Sequence, residues 1–230
     1  NFAHGDVFMV AGLVMVYAPA SLPIYVSIVL VVVVTVAIGV IIEKVAYKPL
    51  RSAPRMSVMI SAIGVSYLLQ NCALYFTGGL PQIYPTIPFL SEQVQIGSAT
   101  TKMVTIITPI LTIVLVLLLV LMIKRTKTGM AMRAVSRDFE TSELMGIKIN
   151  NVISMTFVIG CFLAAIGSLL YFTNYNSVIP TSGAMPGLKA FVAAVFGGIG
   201  SVPGAVIGAF IIGICENIIK GLGLTEFSDA

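Results

Sequence analysis

Charged residues are scarce in this sequence. Only 10% of its 230 residues are Asp, Glu, Lys or Arg, whereas a soluble domain carries about 25%. Hydrophobic residues make up 58% of the chain, and the mean hydropathy is +1.05. The net charge of +4 comes without a run of like charge or a stripe of Lys and Arg, which argues against nucleic-acid binding. The composition therefore predicts a protein of the lipid bilayer.

The motifs of common enzymes and metal sites are missing as well. Cys72, Cys161 and Cys215 each stand alone inside an apolar run, and His4 is the single histidine, so no metal-ligand spacing occurs. The sequence has no GxxxxGKS/T phosphate loop, no HExxH and no GxSxG. We therefore expect no catalytic residue, no metal and no cofactor in this chain, and we expect any ATP to be bound by a partner chain.

Long uncharged runs are what the sequence has instead. The runs 22–42, 56–76, 103–123 and 152–172 have 21 residues each, and an α-helix needs about 20 apolar residues to cross the hydrocarbon core. A shorter apolar run at 7–18 precedes them. The sequence predicts an all-α fold, a polytopic bundle of transmembrane helices.

Basic and non-basic loops alternate between these runs. Loops 43–55 and 124–151 hold most of the Lys and Arg residues, while loops 77–102 and 173–187 hold one lysine between them. Because positively charged loops stay in the cytoplasm, we expect 43–55 and 124–151 to be cytoplasmic. The other two loops would face outward, and the prolines of 77–102 favour an irregular structure there.

The last apolar run, 188–219, is too long for one straight span. Its 32 residues would extend about 48 Å as a helix, against a hydrocarbon core of about 30 Å. Glycine and proline cluster near its centre, so we predict a half-helix at 188–196, a break at 197–203 and a second helix from about 204, a discontinuous C-terminal helix pair. Backbone outside a helix survives at membrane depth only when protein or a watered cavity surrounds it. We therefore expect burial for the path or gate candidates of the break, which are Gly197, Gly198, Gly200 and Ser201.

Small residues four positions apart favour close packing of helices. Such residues occur on the run 152–172 and beyond the break. We expect them to pack helices inside one bundle rather than to form a dedicated dimer face. The candidates are Gly160, Ala164, Ser168, Gly204, Gly208 and Gly213.

The start of the chain is a second candidate for the translocation path or its gate. Asn1, His4, Gly5 and Asp6 stand at the mouth of a short helix. The alternative, which we favour, is that they cap and support this helix, because acidic side chains suit helix N-termini.

One face of the run 56–76 is a third candidate. Ser57, Ser61, Gly64, Leu68 and Asn71 recur at spacings of 4, 3, 4 and 3 residues, which places them on one helical face. Polar groups within spans face the bundle interior. This face lines the path or hydrogen-bonds a neighbouring helix, and the pattern leaves both open.

Charges are rare in the last apolar run. We expect Lys189 to extend its ammonium group to the membrane surface. Glu216 and Lys220 are four residues apart and can pair on one helix.

Loop 124–151 contains the signals of a short helix. Asp138 can cap a helix at 139–145, and Gly146 fits the left-handed position that ends one. Apolar side chains with charges around them suit an element that docks into a groove of a partner. The alternative is an amphipathic connector at the membrane surface. The docking candidates are Arg137, Asp138, Phe139, Glu140, Glu143, Leu144 and Gly146.

Five segments, in chain order, resemble permeases of high-affinity branched-chain amino acid ABC importers. They are NFAHGDVFMVAG at 1–12, EKVAYKPLRSAPR at 43–55, MISAIGVSYLLQN at 59–71, MRAVSRDFETSELMGI at 132–147 and GLKAFVAAVFGGIGSVPGAVIGAF at 187–210. The resemblance implies a single permease domain over 1–230 in the bacterial cytoplasmic membrane, with one further helix before Asn1 and one after Ala230. The polar, glycine-bearing starts of the first and last segments also suggest an inverted repeat about loop 124–151.

The same resemblance implies partners and cargo. The partners would be a second, homologous permease chain, cytoplasmic ATP-binding subunits that contact loop 124–151, and an outer substrate-binding protein. The cargo would be leucine, isoleucine or valine, with urea or a short-chain amide as the alternative. A secondary transporter is a weaker alternative because the four clear spans lack a carboxylate. A passive channel would leave the basic inner loop without a purpose.

Overall fold

The computed structural model describes residues 2–51, 53–96 and 99–223. The chain divides into two compact units, Asn1–Ala184 and Met185–Ala230. Six helices within the described ranges are long and apolar enough to cross a membrane. The α-helices of the first unit are α1 (Ala3–Tyr17), α2 (Ile24–Ile42), α3 (Arg55–Thr77), α4 (Pro88–Ser91), α5 (Met103–Arg125), α6 (Lys127–Arg137), α7 (Phe139–Leu144) and α8 (Ile149–Tyr175). The second unit holds α9 (Ala184–Phe196), whose first residue is the last of the first unit, and α10 (Val202–Gly221).

The predicted all-α bundle is confirmed, and each of the four long runs forms one helix: α2, α3, α5 and α8. Prolines mark several helix starts, because proline fixes a helical φ and lacks the N–H that the first turn leaves unpaired. Pro23 directly precedes α2, Pro54 precedes α3, and Pro203 lies in the first turn of α10. Gly78 ends α3 at φ +63°, a left-handed conformation that glycine adopts without strain.

Loop 77–102 is more regular than predicted. Strands β2 (Gln93–Ile96) and β3 (Ala99–Lys102) pair antiparallel, with Val94 opposite Thr101. The segment also holds β1 (Gln82–Ile83), which pairs with β4 (Ser177–Val178). Strands this short carry too few residues to show an alternating pattern, so the sequence did not predict them.

The predicted loop 124–151 is mostly helical. α5 continues through Arg125, α6 covers Lys127–Arg137, and α8 begins at Ile149. The side chain of Thr126 accepts a hydrogen bond from the Gly129 amide at 3.0 Å and so caps α6. Charged residues in these helices broke the apolar runs used for prediction, although Lys and Arg are good helix formers.

α1 runs parallel to the second half of α8. The Ser168 hydroxyl donates to the Phe8 carbonyl at 2.8 Å. A Cβ added to Gly160 would lie 3.4 Å from His4, and one added to Gly12 would lie 2.5 Å from the Phe172 ring. Since Gly160 is the twelfth of the 27 residues of α8, α1 begins beside the middle of α8. The core of the first unit forms where α1, α2, α3 and α8 meet.

The chain after β4 returns along α1. A Cβ on Gly12 would lie 3.3 Å from Val178, and a Cβ on Gly183 would lie 2.2 Å from the Gly5 carbonyl oxygen. Residues 178–183 therefore run back from the middle of α1 to its start. This stretch turns back beside α1, because glycine at 183 allows backbone to touch backbone. The outward orientation of loop 173–187 stays a prediction. We call residues 179–183 the re-entrant turn.

The second unit contains the predicted break. Gly197, Gly198, Ile199, Gly200 and Ser201 lie outside the helices, between α9 and α10. The half-helix begins at Ala184 rather than at 188. The predicted break at 197–203 was two residues too long, because Val202 and Pro203 belong to the first turn of α10, where proline is favoured.

Candidate functional site

A buried carboxylate lies at the start of α1. Asp6 is 2% exposed, and its Oδ1 accepts a hydrogen bond from the Gln70 amide at 3.0 Å. Its Oδ2 accepts one from the Ser66 hydroxyl. Gln70 also donates to Ser66 at 3.3 Å. We call Asp6, Ser66 and Gln70 the polar triad. It satisfies both carboxylate oxygens with charge-assisted hydrogen bonds, which are the strong ones in a low-dielectric interior.

The triad corrects our preferred interpretation of Asp6 as a cap. The N-cap residue of α1 is Phe2, which makes no side-chain cap bond. Asp6 lies inside the first turn and directs its carboxylate to α3. Acidic charge near a helix N-terminus is still favourable there. Asp6 therefore joins two helices.

The neighbours of Asp6 close around the start of α1. His4 lies against Gly160 of α8, and the Gly5 backbone touches Gly183 of the re-entrant turn. Asn1, the fourth residue of this candidate group, lies outside the described residues. Two helices and a non-helical turn thus meet around the first turn of α1.

The predicted polar face of α3 is not the face that holds Asp6. Gly64 and Asn71 are exposed in this chain, and Ser57 and Ser61 are half-buried. The Asn71 amide donates to the Tyr67 carbonyl of its own helix at 2.8 Å. Sequence reasoning missed Ser66 and Gln70, although two polar residues four positions apart in an apolar run were a signal for a second polar face.

The break in the second unit depends on glycine for two different reasons. Gly198 and Gly200 have φ of +91° and +96°, a region that other residues rarely adopt. Gly197 and Gly204 touch backbone to backbone, since a Cβ on Gly197 would lie 2.1 Å from the Gly204 carbonyl oxygen. Ser201 Oγ accepts from the Gly204 amide at 3.1 Å and caps α10.

We predicted that the break is buried, but the described part of this chain leaves it largely exposed. Ile199 is 84% exposed, and the neighbouring Phe196 is 80% exposed. Gly198, Gly200 and Ser201 are exposed too. Any burial must therefore come from outside this unit.

The packing candidates differ in how closely they are packed. Gly204 meets Gly197, and a Cβ on Gly208 would lie 2.6 Å from the Ala193 carbonyl oxygen, whereas one on Gly213 would meet nothing within 4 Å in the described chain. In α8, Gly160 and Ser168 face α1, and Ala164 is half-buried. Lys189 does not simply extend to the surface as expected: its Nζ pairs with Glu216 at 3.0 Å, and Glu216 also pairs with Lys220.

The docking candidates form the predicted short helix. Asp138 caps α7, accepting from the Thr141 amide at 3.2 Å and from its hydroxyl at 2.6 Å. These hydrogen bonds lower the pKa of the Asp138 carboxyl. Gly146 has φ +81°, its amide bonds the Glu143 carbonyl, and the Ile147 amide bonds the Ser142 carbonyl. This is the two-bond arrangement with which a glycine ends a helix.

The surface of α7 is open. Phe139 is 54% exposed and Leu144 is 88% exposed. Arg137, Glu140 and Glu143 are exposed around them. A short rigid helix thus presents apolar side chains with a charged rim.

Comparison with known proteins identifies the family. The family model described as the permease component of branched-chain amino acid transport systems matches residues 1–230. The chain is 36% identical to BraD of Pseudomonas aeruginosa, a high-affinity branched-chain amino acid transport permease, over 94% of this chain and 75% of that protein. It is 36% identical to LivH of Escherichia coli K12, which has the same description, over 100% of this chain and 79% of that protein. A probable branched-chain permease of Methanocaldococcus jannaschii is 27% identical over 95% of this chain and 71% of that protein. No solved structure matches the chain.

The match covers every element described above, including the polar triad, α7 and the break. The apolar helices of this chain and its relatives show that the chain is a multi-pass protein of the bacterial inner membrane. The chain belongs to the family of permease components of branched-chain amino acid transport systems.

Proposed function

We propose that residues 1–230 form one permease domain of an ABC importer and supply the translocation path for leucine, isoleucine and valine. The observation that carries the proposal is the family match over the whole chain, together with 36% identity to two permeases that are named for this cargo. Permeases of this family work with ATP-binding and substrate-binding proteins. ATP hydrolysis would occur in those partner subunits.

The path would pass the start of α1. A helix N-terminus carries a partial positive charge, and in transporters such ends inside the membrane face anionic groups of the substrate. His4, Gly5 and Asp6 lie there, and the re-entrant turn brings non-helical backbone to the same place. The remaining path candidates are Ser57, Ser61, Gly64 and Asn71 on α3 and Gly197, Gly198, Gly200 and Ser201 at the break.

A second, homologous permease chain would cover the break. Glycine-rich backbone at membrane depth needs protein or water around it, and this chain leaves Phe196 and Ile199 exposed. With loops 43–55 and 124–151 in the cytoplasm, α7 would dock on an ATP-binding subunit. Its cap and its terminal glycine keep the helix rigid, and Phe139 and Leu144 would enter the partner's groove.

Uptake by cells tests the cargo. A strain that lacks this chain should lose uptake of radiolabelled leucine and valine, and should regain both with the wild-type gene. Urea uptake serves as the control because urea and short amides are the alternative cargo. Loss of urea uptake with unchanged leucine and valine uptake would reverse the assignment.

A further inference from the structure

A second buried carboxylate lies at the end of α2. Glu43 is 0% exposed and begins a π-helical turn, Glu43–Tyr47, which continues α2. Its Oε1 accepts a hydrogen bond from Arg51 Nη2, and its Oε2 accepts one from the Ser154 hydroxyl of α8 at 2.9 Å. π turns are rare and frequently mark functional positions. The translocation path proposed above does not use this group.

Two further contacts join the same segments. The Arg51 guanidinium also donates to Asn150 Oδ1. The rings of Tyr47 and Phe157 lie with centroids 5.5 Å apart. On α8 the contacted residues stand at i, i+4 and i+7, which is one helical face. On the other side, the contacting residues recur at intervals of four. Two of these contacts are polar, Glu43–Ser154 and Arg51–Asn150, and one is between aromatic rings, Tyr47–Phe157. We call the three together the polar seam.

The seam lies between the docking element and the path. α7 ends at Leu144 and α8 begins at Ile149, so four residues separate α7 from the helix that holds one side of the seam. The other side, 43–51, connects α2 to α3. α3 carries Ser66 and Gln70, which bind Asp6. A displacement of α7 would therefore reach α3 through one set of contacts.

The hydrogen bonds of Glu43 make the connection between segment 43–51 and α8 rigid. A buried carboxylate is costly without partners, so the fold depends on the bonds from Arg51 and Ser154 to Glu43. In a low-dielectric surrounding these bonds are stronger than in water. Segment 43–51 and the first turns of α8 should consequently move together.

We propose that the polar seam relays the movement of α7 to α2 and α3, and that Glu43 is a positioning residue for coupling ATP hydrolysis to transport. The proposal rests on the proposed function of α7 as the docking element. A purely structural ion pair would make a different prediction. Its loss would reduce the amount of folded chain, and it would lower ATP hydrolysis and transport in the same proportion.

The test uses the whole transporter in proteoliposomes. Glu43→Gln keeps the shape of the side chain and removes its charge. We expect normal retention of the ATP-binding subunit, persistent ATP hydrolysis and a roughly tenfold fall in leucine transported per ATP, within the range of coupling effects of residues that touch no ligand. Ser154→Ala removes one hydrogen bond and should lower the same ratio less. Glu92→Gln, at an exposed glutamate in the outer loop, should leave the ratio unchanged.

Each other outcome counts against the relay. The relay is overturned if leucine transported per ATP is unchanged in both Glu43→Gln and Ser154→Ala. This holds whether hydrolysis and transport stay at wild-type level or fall in the same proportion. Where Glu43→Gln does not fold, Ser154→Ala alone decides by the same ratio. A parallel Phe139→Ala, Leu144→Ala double variant tests α7: normal subunit retention and coupling there would refute docking by α7, independently of the seam variants.

Discussion

The amide of Gln70 on α3 donates to the buried carboxylate of Asp6 on α1 at 3.0 Å. The start of α1 lies beside the middle of α8. The bond ties this end of α1 to α3, a helix long enough to cross the membrane. The two helices cannot separate at that level without leaving a carboxylate unpaired in an apolar surrounding, which is expensive.

Removing that carboxylate should loosen α1. We expect Asp6→Ala to lower the free energy of unfolding by about 3 kcal/mol or more, because two hydrogen bonds to the carboxylate are lost at about 1.5 kcal/mol or more each and the freed donors lose their partner. Thermal unfolding of the purified chain in detergent measures this. Asn71→Ala is the control, since Asn71 is exposed and bonds only within its own helix in the described chain. Equal loss of stability in both variants would contradict the role of the triad.

The re-entrant turn should not tolerate a side chain at its closest approach. A Cβ at Gly183 would lie 2.2 Å from the Gly5 carbonyl oxygen, whereas one at Gly64 would meet nothing within 4 Å. Gly183→Ala should destabilise the chain by about 1–3 kcal/mol through overpacking. Gly64→Ala should be neutral or stabilising by up to about 1 kcal/mol, because alanine is the better helix former. A stable Gly183→Ala variant would mean that the turn does not touch α1.

At the break, the two kinds of glycine should respond differently. Gly197→Ala forces backbone atoms apart, so we expect loss of the contact between α9 and α10, with Gly213→Ala in open space as the control. Gly198→Leu should also reduce transport, but through backbone strain rather than through crowding. A Cβ there meets nothing within 4 Å in the described chain, but φ is +91°. Crosslinking between cysteines placed on α9 and α10 reports the contact, and unchanged crosslinking in Gly197→Ala would be the contrary result.

The end of α7 should be sensitive to the residue at 146. Gly146 has φ +81° with open space around the Cβ position, so Gly146→Val is strained by its backbone alone. We expect this variant to retain its fold and to uncouple ATP hydrolysis from transport. The measurements are retention of the ATP-binding subunit and ATPase activity stimulated by the loaded binding protein. Wild-type values of both, in a normally folded chain, would exclude α7 as the coupling element.

The cap of α7 should depend on pH in one direction. Its hydrogen bonds to Thr141 lower the pKa of Asp138 in the folded chain. A lowered pKa contributes stability that is fully present above the unfolded-state pKa and is lost as pH falls through the folded-state pKa. The NMR shift of the Thr141 amide should therefore titrate below the ordinary aspartate range, and in Thr141→Ala the carboxyl should titrate closer to that range. A midpoint at or above the ordinary value would contradict the cap.

Sequence patterns predicted the parts of this molecule that depend on local physics. Uncharged runs located α2, α3, α5 and α8, because a membrane span must be long and apolar. The cap at Asp138 and the glycine at 146 located α7. The break followed from glycine and proline in a run too long for one helix.

Features that depend on which helices meet could not be predicted in this way. The spacing of Ser66 and Gln70 indicates a polar face, but their partner Asp6 became recognisable only when α3 was placed against α1. The re-entrant turn depends on a contact between Gly5 and Gly183, which are far apart in the chain. The inverted repeat about loop 124–151 and the burial of the break by a second chain remain predictions.

Uptake into proteoliposomes is the decisive measurement of whether this chain is the permease of an ATP-driven leucine importer. The vesicles would contain this chain with its second permease and ATP-binding subunits, and the loaded binding protein would be added outside. We expect accumulation of radiolabelled leucine that requires both ATP inside the vesicles and this chain. Uptake that proceeds without nucleotide, or that requires only an ion gradient, would contradict this expectation.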